Sequence, residues 1–475
     1  MCNSENYIKK LVDKARVAQS EIEKYDQKRI DELCEVVSYG CILEDFRRKA
    51  VHILSQESQM GNEEDKAQKI KNKSMSVYQE MKGERSVGII KEDKENGLVT
   101  YIKPIGVIAA IIPVTNGEST PIVKALWAIK SRNALIISPH HRGVKTAKFI
   151  VEYIRKILKA YNAPEDWIQY IDNEHINRET TRELMRQSDF IVATGGNGLV
   201  RAAYSSGTPA IGVGGGNATV YVDDSADIDI VAEKLRISQI FDYSSSCSSE
   251  SNILCHEEIY NDFIEACKEH GAYFISNDSL EKEKLKKTIW PSWPDNDSIN
   301  RDISAKSPYF IGKKAGIDIS ENTSFILLEE SEGCGREYVT TGEKLCPVIT
   351  LIKVKGIEDA ISKTKQILQY QGNGHSCGIH TNREEQINTL AESITVSRIL
   401  VNQSQSMGNA GAYFNGMPST NSLGCGTWGG NSSCENITWK NLTNTTTVSR
   451  IIKRNKPLKE EEVYSKELLE NGIKE

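Results

Sequence analysis

The feature that most limits the folds open to this chain begins at residue 105. From there, short β-branched apolar runs alternate with stretches of helical periodicity. IGVIAAIIPV (105–114) reads as a buried strand. STPIVKALWAIK (119–130) reads as a helix, opened by Ser-Thr and by Pro121 in its first turn. ALIISP (134–139) is the next strand, and Ala147, Ile150, Val151, Ile154, Ile157 and Leu158 mark one face of a helix ending near Ala160. DFIVATGG (189–196) and ATVYVDD (218–224) add two strands. Strands that alternate with helices of about 10–15 residues predict βαβ units, a parallel sheet and helices on both faces.

A second alternation starts near residue 237. It comprises a helix over 257–269, SFILLE (323–328), VITLIKV (348–354), a helix over 357–369, CGIHT (377–381) and RILVNQ (398–403). Ahead of both, Ile8, Leu11, Val12, Ala15 and Ile22 predict an amphipathic N-terminal helix. Residues 437–452 read as strand and 453–475 as a charged tail. A chain of 475 residues exceeds one typical core, so two α/β units are expected.

Composition excludes several classes. Net charge is -6, with lysine and arginine dispersed, so no nucleic-acid surface is expected. The N-terminus lacks the apolar stretch of about 7–15 residues that a secretory signal needs. The run 105–114 is too short to span a bilayer. Eleven cysteines without regular spacing point to free thiols in a reducing compartment, hence a cytoplasmic chain.

Chemistry concentrates at a few places. Cys247 lies in DYSSSCSSESN, among hydroxyl side chains rather than the aliphatics that surround a structural cysteine. Such a polar setting suits a nucleophilic thiol. Asn116 ends the 105–114 strand in a Pro-x-x-Asn turn, where it either supports the turn or offers its amide to an oxyanion. ATGGNG (193–198) and GVGGGN (212–217) are glycine turns that allow close backbone approach to a ligand or merely positive φ. His140 and His141 are adjacent, and His375 and His380 sit beside glycine and a strand end. None has zinc-like spacing, so no metal is expected. There is no G-x-S-x-G turn for a serine hydrolase.

Together KPIGVIAAIIPVTN (103–116), AAYSSGTPAIGVGGGN (202–217), CSSES (247–251), EKLCPV (343–348), RILVNQ (398–403) and LGCGTWGGNSSCEN (423–436) resemble the CoA-acylating branch of the aldehyde dehydrogenase superfamily. The resemblance runs to about residue 452. It implies a Rossmann-type cofactor domain over 1–236, an α/β catalytic domain over 237–425, and a return over 426–475 that carries a β oligomerisation segment. It also implies a homodimer or homotetramer.

Cys247 would be the nucleophile, and Asn116 the oxyanion donor with the Cys247 N–H. NAD or NADP would contact Thr115, Ser138, His140, Arg142, Thr194, Gly195, Gly196, Gly214 and Glu343. His140 and Arg142 would lie near the adenosine ribose, and Glu343 on the nicotinamide ribose. Coenzyme A would be the co-substrate. Hydrolytic relatives carry a glutamate in E-L-G-G-K that activates water, and here Gly212 takes its place, so water lacks a general base unless Glu250 supplies one.

SSCSSES (245–251) and GMPSTNSLGCGTWGGN (416–431) look most like acylating sulfoacetaldehyde dehydrogenases, and 87–107 looks similarly close to acylating succinate-semialdehyde dehydrogenases. Either anionic aldehyde would be met by Ser119, Thr120, Asn402, Gln403 and Ser404. Relatives usually have proline after the oxyanion asparagine. This chain has Gly117 and then Glu118, which is expected to face solvent at a helix N-terminus. Two other readings stay open: a hydrolytic dehydrogenase and an inactive scaffold with the same fold.

Overall fold

The computed structural model describes residues 3–452 and 457–473. Four helices open the chain: α1 (Asn3–Ile22), α2 (Gln27–Ile42), α3 (Glu44–Ser58) and α4 (Glu63–Met81). Asp26 and Asn62 cap α2 and α4 by accepting from the Arg29 and Asp65 N–H groups. Only α1 was read from the sequence; α2 and α3 bury apolar, glycine and serine positions at helical spacing that the reading passed over, whereas α4 interleaves its buried face with charge. In α4 that face includes Lys66 and Lys69 as well as Ala67 and Ile70.

A hairpin follows, β1 (Gly88–Asp93) with β2 (Leu98–Pro104). The first α/β unit then supplies β3 (Val107–Ile111), β4 (Ala134–Ser138), β5 (Ile168–Tyr170), β6 (Phe190–Thr194) and β7 (Ala210–Val213). These form a parallel sheet in the order β5-β4-β3-β6-β7. The helix α5 (Thr120–Ser131) is buried at every residue, whereas α6 (Val144–Ala160) buries the single face read from its periodicity. Fully burying side chains such as Leu126 and Ile129 stabilises the fold by about 1.5–3 kcal/mol each.

The second unit supplies β8 (Ala218–Val222), β9 (Glu250–His256), β10 (Ala272–Ile275), β11 (Phe325–Glu329), β12 (Val348–Val354), β13 (Cys377–His380) and β14 (Ile399–Val401). Its parallel sheet runs β10-β11-β12-β9-β8-β13-β14. Here β8 departs from the sequence reading, which grouped it with the first unit. It pairs with β9 and β13, so the second sheet begins at residue 218 rather than after 236. A continuous apolar strand carries no mark of which sheet it will enter.

The expected strand at 437–452 is a helical turn, Trp439–Leu442, and then β15 (Thr443–Ser449), which pairs antiparallel with β2. Ile437, Trp439 and Leu442 enter the core of the first unit, as a returning segment must. Of the tail, 453–456 and 474–475 lie outside the described residues, and Lys466–Asn471 is helical. No described helix is long and apolar enough to cross a membrane.

Four residues, 214–217, join the carboxyl end of β7 to the amino end of β8. The loops that leave the first sheet therefore meet the loops that enter the second. Carboxyl edges of parallel sheets are where ligands bind.

Candidate active site

Cys247 lies just ahead of β9 on the amino edge of the second sheet, half-buried. Three consecutive residues before it, Asp242, Tyr243 and Ser244, have left-handed φ of 50°, 49° and 56°. Such conformations cost on the order of 1–2 kcal/mol each for residues with a side chain. Surrounding bonds hold this bend: the Asp242 N–H donates to Asp65 (2.8 Å), Ser245 Oγ donates to Asp242 Oδ2 (2.6 Å), and Ser244 Oγ donates to Gln239 (3.1 Å). Strain that the surroundings over-determine is characteristic of functional turns.

The Cys247 thiol sits 3.5 Å from His375 Nε2. Burial pushes the thiol up to about 12, with Glu343 and Cys425 adding and Arg398 opposing. Burial, with Arg398, lowers His375 to about 3, so its imidazole is neutral and a weak base. Arg398 is buried, and its guanidinium donates to the backbone oxygens of His375 (3.0 Å) and Gly424 (2.5 Å), fastening the 424 loop beside the histidine. His375 precedes β13 as Cys247 precedes β9. The sequence reading tested it only as a metal ligand and passed it over. Its signal was Gly374-His375-Ser376 directly ahead of a strand.

Gly216 closes the other side. A Cβ there would fall 1.8 Å from the Cys247 carbonyl oxygen, so only glycine fits. Its N–H donates to Glu343 Oε1 (3.0 Å), and a Cβ on Gly215 would lie 3.2 Å from Glu343 Oε2. Burial raises the Glu343 carboxyl to about 7. Thr194 ends β6 with its hydroxyl 3.2 Å from Ser422 Oγ, and Gly195 and Gly196 turn the chain into the helix Asn197–Tyr204. The 194–196 turn and Gly214 leave the carboxyl edge of the first sheet, and Glu343, ahead of β12 at the amino edge of the second, bonds the same 214–217 linker: a glycine-lined turn and a carboxylate, groups that a nicotinamide ribose fits.

Asn116 lies in the loop after β3. Its Oδ1 accepts from Lys69 Nζ (3.0 Å), which leaves Nδ2 with only a 3.4 Å contact to Thr115 Oγ1. Lys69 belongs to a buried network that the sequence did not suggest. Lys66 and Lys69 both donate to Asp242 Oδ2 (2.8 and 2.7 Å), and both pair with Glu118 (3.7 and 3.3 Å). Burial opposes the charges, yet the lysines hold Asp242 below its ordinary value, and Asp242 and Glu118 hold Lys69 above its own. Glu118 is fully buried rather than solvent-facing, because the N-terminus of α5 packs onto α4. The spacing of Lys66 and Lys69 on α4 was the available signal.

Other predicted residues are placed as follows. The Thr115 carbonyl accepts from Lys66 (3.2 Å), and Ser138 is buried against Thr181 (2.9 Å). His140 accepts from the Arg142 N–H (3.1 Å), and Arg142 donates to the Ser58 carbonyl. Ser119 is buried, donating to Glu118 (3.4 Å) and accepting from Asn421 (3.1 Å), and Thr120 is buried beside it.

The 402–404 residues do not gather at the thiol. Asn402 follows the carboxyl end of β14 and bonds both backbone groups of Thr381, just past β13. Cys247 and His375 lie at the opposite, amino edge of that parallel sheet. Gln403 accepts from Asn415 (2.8 Å), and Ser404 donates to the Lys234 carbonyl (2.9 Å). RILVNQ hid this because a strand sequence does not say which of its ends faces a ligand.

Gly212 lies inside β7 under the Asn197–Tyr204 helix. A Cβ there would meet Val200 at 2.5 Å and the Tyr204 ring at 2.9 Å. A side chain there would force Val200 and Tyr204 to shift. Glu250 is also occupied, accepting from the Gln405 N–H (2.7 Å) and the Gln239 amide (3.3 Å).

Comparison with known proteins agrees with this architecture. The model described as aldehyde dehydrogenase family matches residues 2–285. The chain belongs to the aldehyde dehydrogenase family. It is 39% identical over 457 residues to a sulfoacetaldehyde dehydrogenase of Acholeplasma sp, covering 96% of this chain and 92% of that one. It is 41% identical over 444 residues to a sulfoacetaldehyde dehydrogenase (acylating) of Bilophila wadsworthia, covering 93% and 94%. A succinate-semialdehyde dehydrogenase (acetylating) of Clostridium kluyveri is 37% identical over 466 residues, covering 97% and 100%. Among solved structures, an acetylating aldehyde dehydrogenase from Geobacillus thermoglucosidasius superposes with a TM-score of 0.90 at 35% identity, covering 96% and 98%. The resemblance drawn from the motifs and the α/β fold class are both borne out. This aldehyde dehydrogenase is an oxidoreductase whose relatives carry the acylating chemistry.

Proposed function

We propose that this aldehyde dehydrogenase converts a small anionic aldehyde, sulfoacetaldehyde first, to its acyl-CoA through a thioester on Cys247. His375 Nε2 takes the Cys247 proton, and the sulfur adds to the aldehyde carbon. The oxyanion formed is held by Asn116 Nδ2, whose other end Lys69 fixes, and by the Cys247 N–H. NAD or NADP, which Thr194, Gly195, Gly196, Gly214 and Glu343 would hold, would supply the hydride acceptor. With hydride removed, Cys247 carries a thioester. His375 releases that first proton to solvent, takes the proton of the CoA thiol as the CoA sulfur attacks the thioester, and returns it to the departing Cys247 sulfur, releasing acyl-CoA and free Cys247.

The observation that carries the acylating reading is the Val200 and Tyr204 packing over Gly212. The glutamate that activates water in hydrolytic relatives is missing there and Glu250 is bonded elsewhere, whereas a CoA thiol ionises far more readily than water and needs much less help.

For the substrate, Lys73 is the supporting feature. It stands one helical turn from Lys69, donates only to the Ala410 carbonyl (2.5 Å), and burial lowers it to about 8. A sulfonate or carboxylate entering beside Asn116 would compensate that charge. The relatives at 39% and 41% identity favour the sulfonate, and the one at 37% keeps succinate semialdehyde as the second reading. The test is reduced-cofactor formation from sulfoacetaldehyde, succinate semialdehyde, acetaldehyde and propionaldehyde, with NAD or NADP, with and without CoA. Strict CoA dependence with sulfoacetaldehyde ranked first is expected. Equal turnover without CoA overturns the acylating mechanism, and preference for acetaldehyde overturns the anionic substrate.

A further inference from the structure

The glycine-rich segment over 422–437 folds back on itself as a short antiparallel ribbon. Leu423 pairs with Asn436, and the Ile437 N–H donates to the Ser422 carbonyl (3.0 Å). Further along, the Gly424 N–H donates to Glu435 (2.9 Å) and the Gly426 N–H to Ser433 (2.9 Å). This register sets Cys425 directly opposite Cys434, flanked by the 424–435 and 426–433 bonds. At such a non-hydrogen-bonded position the Cα atoms lie about 4.5 Å apart and the side chains are close neighbours. A disulfide needs Cα atoms about 4.4–6.8 Å apart. The intervening turn is closed already: the Asn431 N–H donates to the Gly426 carbonyl (2.8 Å), and Asn431 Oδ1 accepts from the Cys425 N–H (2.9 Å). Its ends are held together, so joining them costs little further chain entropy.

The two thiols differ in access. Cys434 is the one exposed cysteine among the described residues; Cys247 is half-buried and the other eight are buried. Burial raises the Cys425 thiol, with Arg398 and the Gly214 N–H opposing. An oxidant therefore meets Cys434 first, and Cys425 stands behind it as the resolving thiol. Cys425 Sγ donates to the Leu423 carbonyl (3.4 Å), a weak bond that turning toward Cys434 gives up.

We propose that Cys425 and Cys434 form a reversible disulfide, a peroxide-sensitive modification site on the rim of the active-site cleft. The Cys434 sulfur attacks a peroxide oxygen, the O–O bond breaks, and one water leaves with Cys434 as a sulfenic acid. The Cys425 sulfur then attacks the Cys434 sulfur, and the S–O bond breaks as a second water leaves with the Cys425 proton. Two thiols give up two electrons and two protons, and one hydrogen peroxide becomes two waters. The bond would tie strands that the catalytic neighbourhood already holds. Arg398 donates to the Gly424 (2.5 Å) and Cys434 (3.2 Å) carbonyls and to that of His375 (3.0 Å), whose ring faces Cys247. A Cβ on Gly374, the residue before His375, would lie 1.9 Å from the Cys425 carbonyl oxygen.

The test is peptide mapping of the full chain after hydrogen peroxide treatment, with free thiols alkylated under denaturing conditions and no reductant added. Trypsin leaves Cys425 and Cys434 on one peptide, 399–440, with no other cysteine. Without peroxide that peptide should carry two alkyl groups. After peroxide most of it should carry none and be two hydrogens lighter than the bare peptide. Dithiothreitol should restore both alkylation sites. Cys247→Ala should form the same bond. Cys434→Ser, checked by thermal melt as folded, should leave Cys425 open to alkylation after the same dose.

A 399–440 peptide that stays doubly alkylated while Cys247 is oxidised overturns the proposal. So does Cys425 joined to the Cys247 peptide, Cys434 joined to a second chain, or a bond lost in Cys247→Ala. None of these results touches the CoA-dependence assay, so the disulfide site and the acyl-CoA reading fail separately.

Discussion

Replacing Lys69 with methionine tests the link between buried charge and the oxyanion amide. In the folded chain two ammonium groups, Lys66 and Lys69, face two carboxylates, Asp242 and Glu118, all four nearly excluded from water. Lys69→Met leaves two buried carboxylates sharing one ammonium. Removing one partner of such a cluster costs about 3–5 kcal/mol. The same change deprives Asn116 Oδ1 of its 3.0 Å donor, so the amide is free to turn. The rate can then fall by as much as the loss of one oxyanion donor, on the order of 10²–10³ in kcat. Lys69→Met with Glu118→Gln restores the balance of charge but not the donor. The double variant should therefore regain at least about half of the lost stability in urea denaturation, at unchanged m, while kcat stays low. KM for the aldehyde should move little in either. A double variant no more stable than the single one refutes the charge-balance argument. One that recovers kcat refutes the positioning of Asn116.

Gly212→Glu should not create a hydrolytic enzyme. The new side chain starts within 2.5 Å of Val200, so lower stability and no CoA-independent turnover are expected, and turnover without CoA would refute the packing argument. Lys73→Met should raise KM for sulfoacetaldehyde by about tenfold or more while changing KM for acetaldehyde by less than about twofold, as steady-state kinetics on both substrates would show. Alkylation of Cys247 by iodoacetamide in the cofactor-free enzyme should be slow at pH 7 and climb about tenfold per pH unit through pH 8–10, because the thiol is held up at about 12. Glu343→Gln removes a charge that raises the thiol, so that profile should shift to lower pH, and an unchanged profile would separate Glu343 from Cys247.

Much of this was legible in the chain itself. Alternating strand and helix patterns announced two α/β units, since an apolar face repeats with the period of the element that buries it. Hydroxyl neighbours marked Cys247, and the glycines at 195, 196 and 214–216 marked the turns that line its cleft. Gly212 was readable as a missing carboxylate. Tertiary structure decided what periodicity does not encode. It put β8 in the second sheet, and Asn402 on the edge away from the thiol, because a strand sequence names neither its neighbours nor its ligand-facing end. It set His375 3.5 Å from Cys247 across 128 residues of chain. It also turned Glu118 inward onto Lys66 and Lys69, which lie far away in sequence. Local pattern fixes which residues are buried together in one element. Only packing between elements decides which buried charges meet, and that pairing brings Lys69 to the Asn116 amide.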